Sequence, residues 1–155
     1  MRLFVIRHAP AVEHLASGSD EARPLTSEGQ ASFRGVVRQL ARRSVQLDLV
    51  VHSPLLRAIQ TAELLQPLVR GTTRVSAELA KAPGAELLAE LEGETVAVVG
   101  HEPFVGELVA WLVTGERALG ARFPFRKSGV AELEGRALPG EMSLLSFLPP
   151  DALNT

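Results

Sequence analysis

The chain opens with four apolar residues, Leu3-Phe4-Val5-Ile6, that stop at Arg7-His8. A short run that is apolar at every position predicts a strand buried on both faces. The pattern returns twice. Leu47-Asp48-Leu49-Val50-Val51 runs into His52-Ser53-Pro54, and Glu94-Thr95-Val96-Ala97-Val98-Val99-Gly100 runs into His101-Glu102-Pro103. A shorter strand is expected within residues 70–77. Gly129 to Leu133 and Met142 to Leu148 read as two further strands, joined by a hairpin connection over Glu134 to Gly140.

Between these runs the period changes from strand-like to helical. Phe33, Val36, Val37 and Leu40 recur at i, i+3, i+4 and i+7, one face of a helix. It opens in Pro24-Leu25-Thr26-Ser27-Glu28-Gly29-Gln30, where Ser27 and Gln30 have capping-box spacing and Thr26 competes as the cap. Arg34, Arg38, Arg42 and Arg43 lie mostly off the apolar stripe and read as a solvated surface. A second helix is expected with Ser53 as N-cap and Pro54 at its first position, running through Leu55, Ile59, Ala62 and Leu65. A short helix covers Ala85 to Leu91. Pro103 starts another, with Phe104, Leu108, Trp111 and Leu112 on one face and Thr114-Gly115 at its close. Residues 9–25 and 116–128 read as loops, and Pro149 to Thr155 as a loose tail.

Alternating strands and helices predict an α/β fold in three layers, α/β/α. Its central sheet is mostly parallel and ends in an antiparallel C-terminal hairpin. The 155 residues suit a single domain spanning 1–155. A hydrophobic content of 46% fits a packed core, and a formal charge of −2 argues against nucleic acid held by a broad basic field. With no cysteine there is no thiolate nucleophile and no cysteine zinc site. No apolar run reaches the roughly 18 residues of a membrane span, and the first one is too short for a signal-peptide core. A soluble, cytoplasmic protein is the expectation.

Parallel neighbouring strands would deliver Arg7-His8, His52-Ser53-Pro54 with Arg57, and His101 to one sheet edge, the carboxyl edge where α/β proteins bind ligands. Read singly, Arg57 is a helix-surface arginine and His101 a capping or core histidine. Together, two arginines and two histidines suit a dianionic tetrahedral group, because guanidinium forks match phosphoryl oxygens. A helix N-terminus after the second strand would add free N–H groups to the same anion.

Four fragments also carry a resemblance: Arg7-His8; Arg23-Pro24-Leu25-Thr26-Ser27-Glu28-Gly29; Ser53-Pro54-Leu55-Leu56-Arg57-Ala58-Ile59-Gln60-Thr61-Ala62; and Gly100-His101-Glu102-Pro103. In this order and spacing the chain resembles the histidine phosphatase superfamily, also called phosphoglycerate mutase-like. Within it, the short length and the Arg-Pro-Leu-Thr phrase are similar to the SixA-type phosphohistidine phosphatases. The resemblance runs to about Leu148. It implies a phosphoglycerate mutase-like fold and a phosphatase in which His8 is the nucleophile and forms a phosphohistidine intermediate. Arg7, Arg57 and His101 would bind the phosphoryl oxygens and stabilise the transition state. No metal or organic cofactor is implied. Arg23 is a further phosphate-binding candidate at the rim, or a plain surface arginine.

The chain departs from the family pattern at two places, and the second bears on the substrate. Ala9 stands where Arg-His-Gly is commoner. Lys81, in Leu79-Ala80-Lys81, stands where many members carry the glutamate that protonates a leaving alkoxide; Glu78 and Glu102 are the nearest stand-ins, or are structural. An alkoxide benefits from a general acid, whereas an imidazole, whose conjugate acid titrates near pH about 6.5, leaves readily without one. The missing acid therefore favours a phosphohistidine substrate. A short chain without an inserted lid fits an open site that admits a protein surface, bordered by residues 9–23 and Phe123-Pro124-Phe125. The alternatives are a phosphomonoesterase of small phosphorylated metabolites, or a phospho-ligand binding module without turnover. The partner in each case is a phosphorylated protein or small phosphorylated substrate, with no nucleic acid and no membrane.

Overall fold

The computed structural model describes residues 1–15 and 18–148. The expected tail, Pro149 to Thr155, lies outside the described residues. Six strands form one sheet: β1 (Arg2–Arg7), β2 (Leu47–His52), β3 (Val69–Val75), β4 (Thr95–Gly100), β5 (Val130–Gly135) and β6 (Met142–Leu148). Their order is β3-β2-β4-β1-β5-β6. Strands β1 to β4 run parallel, β5 is antiparallel to β1, and β6 is antiparallel to β5. This is the mostly parallel α/β sheet with a C-terminal antiparallel pair that the alternation predicted. The three strands ending in the singled-out residues lie side by side, with β4 between β2 and β1.

The two faces of the sheet are covered by different helices. Phe4, Ile6, Val50, Ala97 and Val99 face α1 (Ser27–Arg42) and α2 (Leu56–Leu64), whose Phe33, Val36, Leu40, Ala58 and Ala62 complete that core. Leu3, Val5, Val51, Val96 and Val98 point the other way. They meet Leu87 of α3 (Ala85–Ala89) and Val105, Leu108, Val109 and Leu112 of α4 (Phe104–Thr114). A strand flanked on both sides must be apolar at every position, which is why these runs lack alternation.

Three local details differ from, or decide between, the sequence expectations. The cap of α1 is Thr26, whose Oγ1 accepts Gly29 N at 2.9 Å. Helix α2 begins at Leu56, not Pro54: Ala58 N and Ile59 N both donate to Leu55 O, at 2.9 and 3.0 Å. The Ser53 hydroxyl does not cap α2. It accepts Leu55 N at 3.2 Å and turns toward β4. The two expected loops also carry short 3-10 turns, over Asp20–Ala22 and Arg117–Arg122.

The segment after β1 is pinned to α1. Thr26 N donates to Pro10 O at 3.1 Å, and a Cβ on Gly29 would come within 2.2 Å of that same carbonyl. Gly29 is thus the residue that lets the first turn of α1 sit against the chain two residues beyond His8.

Candidate active site

Backbone hydrogen bonds knit the strand ends together just where the sheet stops. His8 N donates to Gly100 O at 3.1 Å and Ser53 N to Val99 O at 3.0 Å. Ser128, in the left-handed region at φ 65, donates its N–H to Arg7 O and His8 O at 3.2 and 3.1 Å. His8, Arg57 and His101 are buried there, and the His8 and His101 ring centroids lie 5.1 Å apart.

Each of the four side chains has one part tied to the protein. His8 Nδ1 lies 2.7 Å from Ala9 O; a carbonyl only accepts, so Nδ1 carries the proton and Nε2 holds a free lone pair. Arg7 Nη1 donates to Phe125 O at 2.8 Å. Arg57 Nη1 donates to Asp20 O at 3.0 Å, and its Nη2 to Asp20 Oδ2 at 3.2 Å. His101 Nε2 sits 2.7 Å from Ser53 Oγ. Three further nitrogens, Arg7 Nε, Arg57 Nε and His101 Nδ1, are buried without a hydrogen-bond partner. Buried donors are rarely left unpaired, so three beside one imidazole lone pair describe a place built to receive an anion.

The electrostatics keep both rings neutral. Burial lowers the His8 pKa to about 3, against the opposing Ala9 carbonyl and with help from His101, Arg57 and Arg7. Burial, then Arg57, lowers His101 to about 4, with Asp20 opposing. Burial also lowers Arg7. A neutral His8 keeps its Nε2 lone pair at neutral pH. A neutral His101 is a donor at Nδ1 in the tautomer in which the Ser53 hydroxyl donates to its Nε2.

The structure thus gathers Arg7, His8, Arg57 and His101 at one point. Arg23 stands one carboxylate away: its Nε donates to Asp20 Oδ1 at 2.8 Å and its Nη1 to Val12 O at 2.7 Å. His52 turns to its own neighbour, with Nδ1 2.9 Å from Ser53 O. Both suggested stand-ins for a general acid are engaged. Glu102 accepts Gly106 N and Phe125 N at 2.9 and 3.0 Å, and Glu78 pairs with Lys81 at 3.0 Å. Ala9 has a negative φ, so its side chain needs no left-handed backbone. Among the described residues, no group of three or more His, Cys, Asp or Glu side chains is arranged to hold a metal ion.

Sequence reasoning missed three contributors. Thr61, one turn beyond Arg57, has its Oγ1 donating to Arg57 O at 2.7 Å and accepting Ala9 N at 3.0 Å. It therefore fixes the backbone N–H of Ala9, the residue whose carbonyl orients His8. Ser53 was read as a helix cap, and Asp20 as one polar residue in a loop. The i, i+4 spacing of Arg57 and Thr61 was the available signal for the first; nothing local announced the other two.

Comparisons with known proteins identify the family. Residues 3–82 match the model of the histidine phosphatase superfamily (branch 1). Phosphohistidine phosphatase SixA of Escherichia coli (strain K12) is 36% identical over 125 residues, 75% of this chain and 76% of that protein. A solved structure of the protein histidine phosphatase SixA complexed with tungstate superposes with a TM-score of 0.83 at 30% identity, covering 99% of both chains. The alpha-ribazole phosphatase from Shigella flexneri shares the fold at 19% identity, with a TM-score of 0.74 over 97% of each chain. The chain belongs to the histidine phosphatase superfamily. It is a phosphatase, a hydrolase of phosphorylated substrates related to the SixA phosphohistidine phosphatases.

Proposed function

We propose that the protein removes the phosphoryl group from a phosphohistidine carried on another protein, by way of a phosphohistidine on its own His8. The observation that carries this reading is the set of three unpartnered buried donors, Arg7 Nε, Arg57 Nε and His101 Nδ1, around a neutral imidazole whose Nε2 is free. His8 Nε2 attacks phosphorus, the donors hold the equatorial oxygens as charge gathers on them, and the substrate imidazole departs. Water then attacks the phosphorus on His8 and releases phosphate. Arg23 stands behind Asp20 at the rim.

The substrate class rests on the leaving group. Glu102 accepts two backbone N–H groups and Glu78 pairs with Lys81, so neither glutamate is presented as the carboxylic acid an alkoxide would need. An imidazole needs no such help. The similarity to SixA, itself a phosphohistidine phosphatase, supports the same choice.

The test is turnover of a phosphohistidine-bearing protein beside a panel of simple phosphate monoesters, with His8→Ala as control. The expected result is a strong preference for phosphohistidine that the variant loses. Efficient monoester hydrolysis would turn the reading toward small phosphorylated metabolites. Phosphate binding without turnover of either would make the site a binding module.

A further inference from the structure

Asp20 is an anomaly in a site built for an anion. Its carboxylate lies 3.2 Å from Arg57 Nη2 and 2.8 Å from Arg23 Nε. A fixed negative charge there opposes a dianionic phosphoryl group, and its two arginine contacts leave lone pairs on its exposed side that can accept an N–H from a substrate. The position says which N–H. The Asp20 side chain is 66% exposed and that of Arg57 only 8%, so the carboxylate stands on the solvent side of the arginine, at the mouth. His8 is itself buried, so a substrate reaches it from the solvent side. In-line transfer puts the leaving nitrogen opposite the attacking one, hence toward that mouth.

Resting on the functional reading above, we propose that Asp20 is a catalytic carboxylate that accepts the ring N–H of the departing substrate imidazole and so selects phosphohistidine over phosphate esters. Phosphohistidine loses its phosphoryl group most easily when its second ring nitrogen is protonated, because the ring then leaves neutral. A carboxylate beside that N–H favours the protonated form. The step balances without a proton transfer. The His8 Nε2 lone pair forms the new P–N bond, the old P–N pair returns to the substrate ring, and that ring leaves neutral with its N–H intact. The positive charge passes to the His8 ring, whose own N–H already donates to Ala9 O. The two rings are then held alike, one by a carbonyl and one by a carboxylate.

Asp20 is not itself a proton donor. The Arg23 hydrogen bond, then the Arg57 charge, hold its pKa below the usual carboxylate range. Those two arginines and His101, which feels the Asp20 charge, are the ionisable groups that bear on it. An ester oxygen has no N–H to offer, so this carboxylate gives it nothing.

The experiment compares the parent protein with Asp20→Asn and Asp20→Ala on a phosphohistidine-bearing protein and on p-nitrophenyl phosphate. Asn keeps an oxygen for the arginines while removing the charge. The expected result for Asp20→Asn is a shift of about 10- to 100-fold in the ratio of the two kcat/KM values, against phosphohistidine; that is the range of a hydrogen bond to a charged group. The alkaline limb of kcat on phosphohistidine should also move to lower pH, because the substrate ring loses the charge that kept it protonated. Equal losses on both substrates with an unmoved limb would overturn the inference and leave Asp20 a positioning residue for Arg57. No loss on either would overturn it too. A parent protein that hydrolyses only the aryl phosphate would overturn the functional reading, and this inference with it.

Discussion

The two ends of the sheet carry polar clusters of opposite kinds. At the amino end Asp48 is closed off: its Oδ1 accepts Arg70 Nε at 3.0 Å, and its Oδ2 accepts Glu94 N and Thr95 N, both at 3.0 Å. At the carboxyl end Arg7, Arg57 and His101 are each tied at one place and left with a buried donor unpaired at another. Both clusters stitch neighbouring strands. Only the second bears the cost of unsatisfied donors, a cost that native structures tolerate where a ligand repays it. Polar residues at a sheet edge are therefore weak signs of function by themselves; donors left open beside a neutral nucleophile are strong ones.

Substitutions should separate the two ends, starting with the nucleophile. His8→Ala is expected to lower turnover by about 10⁴-fold or more, as removal of a nucleophile does elsewhere, while the protein still binds tungstate or phosphate. Steady-state rates and equilibrium dialysis check both halves. Arg57→Ala removes a transition-state donor and should cost about 10²- to 10³-fold in kcat, with a smaller change in the affinity for phosphate. Ser53→Ala frees His101 to carry its proton on Nε2 and should cost about tenfold, the worth of one misdirected hydrogen bond. Nitrogen NMR of the His101 ring would show the tautomer change. At the other end, Asp48→Asn should leave kcat as it is and lower the Tm.

Acid should also break the two ends in different windows. The folded-state pKa values of His8 and His101, about 3 and about 4, lie below the ordinary histidine value of about 6.5. Between those limits the unfolded chain binds more protons, so stability is complete above pH about 6.5 and is lost as pH falls. Hydrogen bonds from Thr95 N and Arg70 lower the Asp48 pKa, so its contribution is held above the carboxylate range and lost as pH falls through its folded value. Urea melts across pH should show His101→Asn blunting the loss between pH 6.5 and 4, and Asp48→Asn blunting only the loss below it.

Much of this was legible in the sequence because it is periodic or local. Runs such as Leu3 to Ile6 and Val96 to Val99 announce doubly covered strands, and the arginine and histidines at their ends follow from where such strands stop. What stayed hidden depends on long-range contact. Ser53 looks like a helix cap until β4 brings His101 within 2.7 Å of it. Asp20 meets Arg57 across 37 residues, through a turn that no apolar pattern specifies. Thr61 matters only because the chain after β1 folds back beneath α2 and presents Ala9 N.

The most direct test is rapid mixing of the protein with a partner carrying phosphorus-labelled phosphohistidine, quenched within one turnover. The expected result is labelled phosphate on this chain as an acid-labile, base-stable adduct at His8, formed before free phosphate appears and absent from His8→Ala. Free phosphate released at full rate with no labelled chain at any time would contradict it.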